Sequence, residues 1–236
     1  YHQNYELFYQ GVHLSKWKTY LYQYLAIHGL FLFLVVSFLR KELFSGWSTM
    51  AGWWRKALAG YWVLVAGLFL ALVALNLVVI AFLTVILGMV LWIVAREMVG
   101  RQPDTPVNLF VLALIGLALA LGIGVDIFTL DGDIERMNTV FKFYFQAWLL
   151  LGVAAAYCLW RLALAPGALS RLTVSKKVWL GFLALLLAGC LVYPIAATPV
   201  KGDERFSPLP PTSDGMAYMK QAVYHDPNGD LELVWD

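Results

Sequence analysis

One stretch concentrates charge in an otherwise apolar chain: Asp126-Ile-Phe-Thr-Leu-Asp131-Gly-Asp133-Ile-Glu135-Arg136-Met-Asn138-Thr-Val-Phe-Lys142-Phe-Tyr144-Phe-Gln146-Ala-Trp148. Gly132 permits a turn, and Asp133 suits the N-cap of a helix that follows it. On such a helix Glu135, Asn138, Lys142 and Gln146 are spaced 3, 4 and 4 apart and share one face. A lysine about two turns into a membrane helix is costly unless it snorkels, pairs with an acid or faces a polar cavity. Two readings follow. In the first, Lys142 pairs with Glu135 or Asp133 and closes a helix bundle. In the second, Arg136 and Lys142, near a helix N-terminus, hold an anionic group such as a lipid phosphate, with Asp133, Glu135, Asn138 and Gln146 as a supporting polar face. Asp126, Asp131 and Asp133 are carboxylates in the same loop region, but acidic loops are ordinarily solvated surface. No catalytic residue is assigned.

The remaining candidates are sparse. His28 is the one histidine within an apolar run, so paired-imidazole haem ligation has no second ligand. It reads as a packed or hydrogen-bonded side chain. Cys158 and Cys190 both lie in apolar runs and offer neither a disulfide framework nor a CxxC site. HExxH, Walker A, GxSxG and GxGxxG patterns do not occur. The sequence therefore offers no metal-ligand pattern and no resident cofactor, and it leaves the use of a divalent metal undecided. The lysines and arginines sit at helix ends rather than along one face, which argues against nucleic acid.

The elements that must position these residues are membrane spans. The 236 residues are 61% hydrophobic and 14% charged, with a mean hydropathy of +0.71; soluble domains carry about 25% charge. Ten Trp, twelve Tyr and fourteen Phe suit a protein whose rings settle at bilayer interfaces. Apolar runs of about 20 residues, enough to cross the hydrocarbon core, occur at 20–39, 108–126, 139–160 and 178–197. The longer run from Ala57 to Val94 exceeds the bilayer as one helix, and Asn76 divides it into 57–75 and 77–95. The expectation is an all-α integral membrane protein with about six transmembrane helices.

Basic residues orient those spans. Arg40, Lys41, Arg55 and Lys56 in 40–56, Arg96 and Arg101 in 96–107, and Arg161, Arg171, Lys176 and Lys177 in 161–177 share one side of a six-span topology, against Arg136 alone in 127–138. The positive-inside rule makes that side cytoplasmic and both termini non-cytoplasmic. The segment 1–19 mixes aromatic and charged residues and is expected to lie along the interface as an amphipathic helix. Pro199, Pro208, Pro210 and Pro211 are expected to end the last helix, leaving 198–236 as an external tail that begins a longer soluble region.

The run Glu135-Arg-Met-Asn-Thr-Val-Phe-Lys-Phe-Tyr-Phe-Gln-Ala-Trp148 and the tail Asp214-Gly-Met-Ala-Tyr-Met219 resemble the uncharacterised multi-pass "YYY" membrane family of bacteria and archaea. That family is similar to GT-C type glycosyltransferases, which take sugar from a polyprenyl-phosphate donor at the outer membrane face. The resemblance implies a GT-C-like helical bundle region and handling of a lipid-linked sugar. The family's proteins are much longer, and the GT-C catalytic acid lies in a first external loop to which nothing here corresponds. The alternatives are a non-catalytic structural subunit that packs against other membrane subunits, and a transporter, which would be expected to show more intramembrane charge.

Overall fold

Among the described residues are six long apolar helices, each of a length and composition able to cross a membrane. The computed structural model describes residues 11–45, 52–100, 105–130, 136–165, 173–205, 223–225 and 231–233. In chain order the elements are β1 (Val12–Leu14), α1 (Leu21–Phe44), α2 (Gly52–Ala74), α3 (Val78–Gly100), α4 (Thr105–Ile127), β2 (Phe128–Leu130), α5 (Met137–Leu159), α6 (Val174–Arg205), β3 (Val223–His225) and β4 (Leu231–Leu233). A π-helical turn, Trp160–Leu164, continues α5.

The turn expected at Asn76 is present and has a clear cause. Asn76 adopts φ 61°, a left-handed conformation that asparagine tolerates better than most residues. The amide of Leu77 donates to the carbonyl of Leu72 at 2.9 Å and that of Asn76 to Val73 at 2.9 Å. This is the Schellman pattern, which satisfies carbonyls at a helix C-terminus and reverses the chain at little cost.

The chain divides into two compact units, 1–183 and 184–236. In the first, α1, α3, α4 and α5 enclose a core in which Leu39, Leu83, Ile115, Leu119 and Leu151 are fully buried. Small residues such as Ala118, Ala147 and Ala154, also fully buried, let the helix backbones approach closely. Helix α2 joins through α3: Trp54 meets Trp92 edge to face at 5.5 Å, and the Tyr61 hydroxyl donates to the Gly88 carbonyl at 2.9 Å. Its other side exposes Val63, Leu64 and Leu70, as a lipid-facing helix does. In the second unit, β3 and β4 pair antiparallel with Tyr224 opposite Glu232.

Two expectations about the ends of the chain are corrected. Residues 12–14 form a strand rather than an amphipathic helix, because Val12, His13 and Leu14 pair antiparallel with Leu130, Thr129 and Phe128. Helix α6 continues through Pro194 and Pro199 to Arg205 instead of ending before 198. A proline removes one helical hydrogen bond and crowds the preceding turn, a cost that long membrane helices accommodate.

Candidate functional site

The β1–β2 ladder determines what lies at this end of the bundle. Past its last pair the Ser15 amide donates to the Ile127 carbonyl at 2.8 Å, which brings the residues before α1 against the end of α4. Lys18 and Thr19 thereby reach Asp126. The Thr19 hydroxyl donates to Asp126 Oδ1 at 2.6 Å and its amide to the same oxygen at 3.1 Å. The Lys18 ammonium donates to the backbone carbonyls of Asp126 at 2.7 Å and Ser15 at 3.0 Å.

Arg136 completes the cluster. It sits at the N-cap of α5, and its Nη1 pairs with Asp126 Oδ1 at 2.8 Å, with side chains only 13% and 3% exposed. Its Nη2 donates to the Thr19 hydroxyl oxygen at 2.9 Å, and the Tyr144 hydroxyl lies 2.9 Å from that same oxygen. Such an ion pair is held by hydrogen bonds on both partners, the condition under which buried charge is tolerated. Beneath it Tyr144, Tyr24 and His28 pack ring against ring, with centroids 4.6 to 5.5 Å apart. His28 is fully buried, and among the described residues neither its ring nitrogens nor the Tyr24 hydroxyl has a hydrogen-bond partner. It is the packed histidine that its position in an apolar run suggested.

Beside the cluster a cleft of about 730 Å³ opens between α1 and α5. Lys18, Gln23, Arg136 and Tyr144 give it polar groups, while Trp17, Ile27, Phe141 and Trp148 give it apolar and aromatic walls. Counting Lys18 and Arg136 against Asp126, the cluster carries one net positive charge. An apolar groove ending in fixed cationic donors is complementary to an amphiphile with an anionic head. Among the described residues no group of three His, Cys, Asp or Glu side chains is arranged to hold a metal ion.

The residues singled out from sequence distribute unevenly around this site. Arg136 lines the cleft, but Lys142 does not; it is exposed on another side of α5, together with Asn138 and Gln146. Asp133 and Glu135, like Asp131, lie outside the described residues. Helix α5 begins at Met137 with Arg136 as its N-cap. The cation that accompanies Arg136 is Lys18, which spacing along α5 had no means of revealing. Asp126 could have been suspected, as a carboxylate closing an apolar span ten residues before an arginine.

A family model described as "Uncharacterized membrane protein (DUF2298)" matches residues 1–151. The chain belongs to this family. The matched region contains α1 to α4 and most of α5, and hence every residue of the cleft. A search of curated proteins and a search of solved structures return no match.

At the opposite end of the bundle a second charged cluster joins three loops. Arg96 Nη1 donates to the Glu42 carbonyl at 2.6 Å, while its Nη2 lies 3.8 Å from Glu42 Oε2 and 3.5 Å from Glu97 Oε1. Arg161 Nη2 reaches Glu42 Oε1 at 3.6 Å, and the Thr105 hydroxyl donates to Glu97 Oε2 at 3.0 Å. The borders of 40–56, 96–107 and 161–177 therefore meet at one end, as loops separated from one another by two spans must.

Proposed function

We propose that the cleft between α1 and α5 binds the phosphate-bearing head of a membrane amphiphile, with Lys18 and Arg136 on the phosphate and the aromatic walls along its chain. The observation that carries this reading is the pairing of two fixed cations with an apolar groove at one end of a membrane bundle. In its fuller form, the chain is the membrane region of a GT-C-like glycosyltransferase, and the amphiphile is a polyprenyl-phosphate-linked sugar held at the non-cytoplasmic face. That form is supported by the sequence resemblance of 135–148 and by the basic loops at the other end, which orient the cleft outward. Asp126 acts as a positioning residue, since its Oδ1 is engaged by Arg136 and Thr19. Lys142 serves as an exposed anchor that snorkels to the phosphates of surrounding lipid.

Binding of a polyprenyl monophosphate to the purified chain, compared with the uncharged polyprenol, tests the reading. Lys18→Gln is the clean variant because Lys18 donates to carbonyls and leaves the Arg136–Asp126 pair intact. A charge-assisted hydrogen bond contributes about 1.5–3 kcal/mol, so affinity should fall by about tenfold or more. Equal binding of phosphate and alcohol, or an unchanged affinity in folded Lys18→Gln, would leave a structural subunit as the better account.

A further inference from the structure

The end of the bundle that carries the Glu42–Arg96–Arg161 cluster has a cleft of its own. Helix α6 meets α1 there through Trp179, whose ring stacks on Phe33 with centroids 5.6 Å apart at 21° and whose Nε1 donates to Ser37 Oγ at 2.9 Å. Around this contact the two helices enclose about 860 Å³. Phe33, Val36, Phe44, Leu162 and Trp179 form apolar walls, and Arg40, Lys41 and Lys176 supply the charge.

Among the described residues that line this cleft none is acidic. Glu42, the nearest carboxylate along α1, is buried and pairs with Arg96 and Arg161 instead. Lys41 is held over the cleft by a hydrogen bond to the Arg161 carbonyl at 3.1 Å. The rim thus gathers three cationic side chains next to a wall of aromatic and aliphatic carbon. Basic pockets between transmembrane helices recognise acidic phospholipid heads in this way. A free phosphate would use the rim and leave the walls wet; a zwitterionic lipid would use the walls and bring no net charge to the rim. An acidic phospholipid uses both.

We propose that the α1–α6 cleft is a binding site for one acidic phospholipid of that leaflet, its phosphate on Arg40, Lys41 and Lys176 and an acyl chain along Phe33 and Trp179. The site is independent of the α1–α5 cleft and survives if that reading fails.

The test is native mass spectrometry of the full chain released from detergent, titrated with phosphatidylglycerol, with phosphatidylcholine and with water-soluble glycerophosphate. The first should bind well ahead of the other two. Each basic side chain near a membrane surface is expected to contribute about fivefold in affinity. Arg40→Gln/Lys41→Gln/Lys176→Gln should therefore weaken phosphatidylglycerol binding by about a hundredfold. The matched variant Arg55→Gln/Lys56→Gln/Lys177→Gln, which removes the same charge outside the cleft, should leave binding unchanged. Should the triple variant not fold, Lys176→Gln alone should still give about a fivefold loss. Equal weakening in the two triple variants, equal binding of phosphatidylcholine, or glycerophosphate binding as tight as the lipid would each overturn the site.

Discussion

Removing Asp126 should destabilise the protein more than any truncation of a comparable surface residue. The Asp126→Ala change leaves the Arg136 guanidinium without its counter-ion in a site where both side chains are largely buried. Breaking such a pair from one side costs about 3–5 kcal/mol. The Thr19 amide and hydroxyl also lose their shared acceptor, so a total of about 4 kcal/mol is expected. Arg136→Ala leaves Asp126 with the two Thr19 donors and should cost less, about 3 kcal/mol. The double variant has neither orphaned charge. Its cost should be about 4–5 kcal/mol, against about 7 for simple addition, which is a coupling of about 2–3 kcal/mol. Equilibrium unfolding of the purified chain in mixed micelles, driven by rising dodecyl sulfate fraction and followed by tryptophan fluorescence, measures all three. Additivity to within about 0.5 kcal/mol would mean that the two side chains are energetically independent, and the account of the cluster would fail.

Further outcomes follow from single residues. A Cβ at position 122 would lie 2.7 Å from the Tyr24 hydroxyl oxygen and 3.0 Å from Leu83 Cδ1, so Gly122→Ala should cost about 1–3 kcal/mol in the same unfolding assay, whereas Gly67→Ala, which meets nothing, should be near neutral. Tyr24→Phe removes a buried hydroxyl without a partner among the described residues and should be neutral or stabilising, and it should recover part of the Gly122→Ala loss; a large loss from Tyr24→Phe would show the hydroxyl to be bonded. Asn76→Val forces a β-branched residue into φ 61° and should cost about 1–2 kcal/mol, while Asn76→Gly should be tolerated; equal effects would remove the turn from the account. With both native cysteines replaced by serine, cysteines at Ser45 and Ser170 should resist an impermeant thiol reagent added to intact cells, and labelling of both would reverse the orientation.

Sequence carried the bundle well and the site only in part, for a physical reason. Span length and the sign of loop charge are one-dimensional properties, so Asn76 and the basic residues of 40–56, 96–107 and 161–177 were enough to give six helices and to group those loops. Helix limits were less legible: α1 runs on to Phe44 through Arg40 and Lys41, and α6 through Pro199, because long side chains snorkel and long helices absorb a proline. The site depends on a contact between residues more than a hundred positions apart, Thr19 with Asp126, made possible by a three-residue ladder that leaves no alternating pattern long enough to read. Spacing along α5 singled out Arg136, which lines the cleft, together with Lys142, which is exposed on a different side of the helix, and it carries no information about Lys18.

The central claim is that an amphiphile with a phosphate head lies between α1 and α5. Photo-crosslinking with a diazirine-bearing polyprenyl phosphate, followed by peptide mapping, reads the position of the ligand directly. Adducts should fall on Trp17–Ile27 and Met137–Trp148, and excess unlabelled polyprenyl phosphate should suppress them. Adducts confined to α2 or α3, or unaffected by the competitor, would contradict the account.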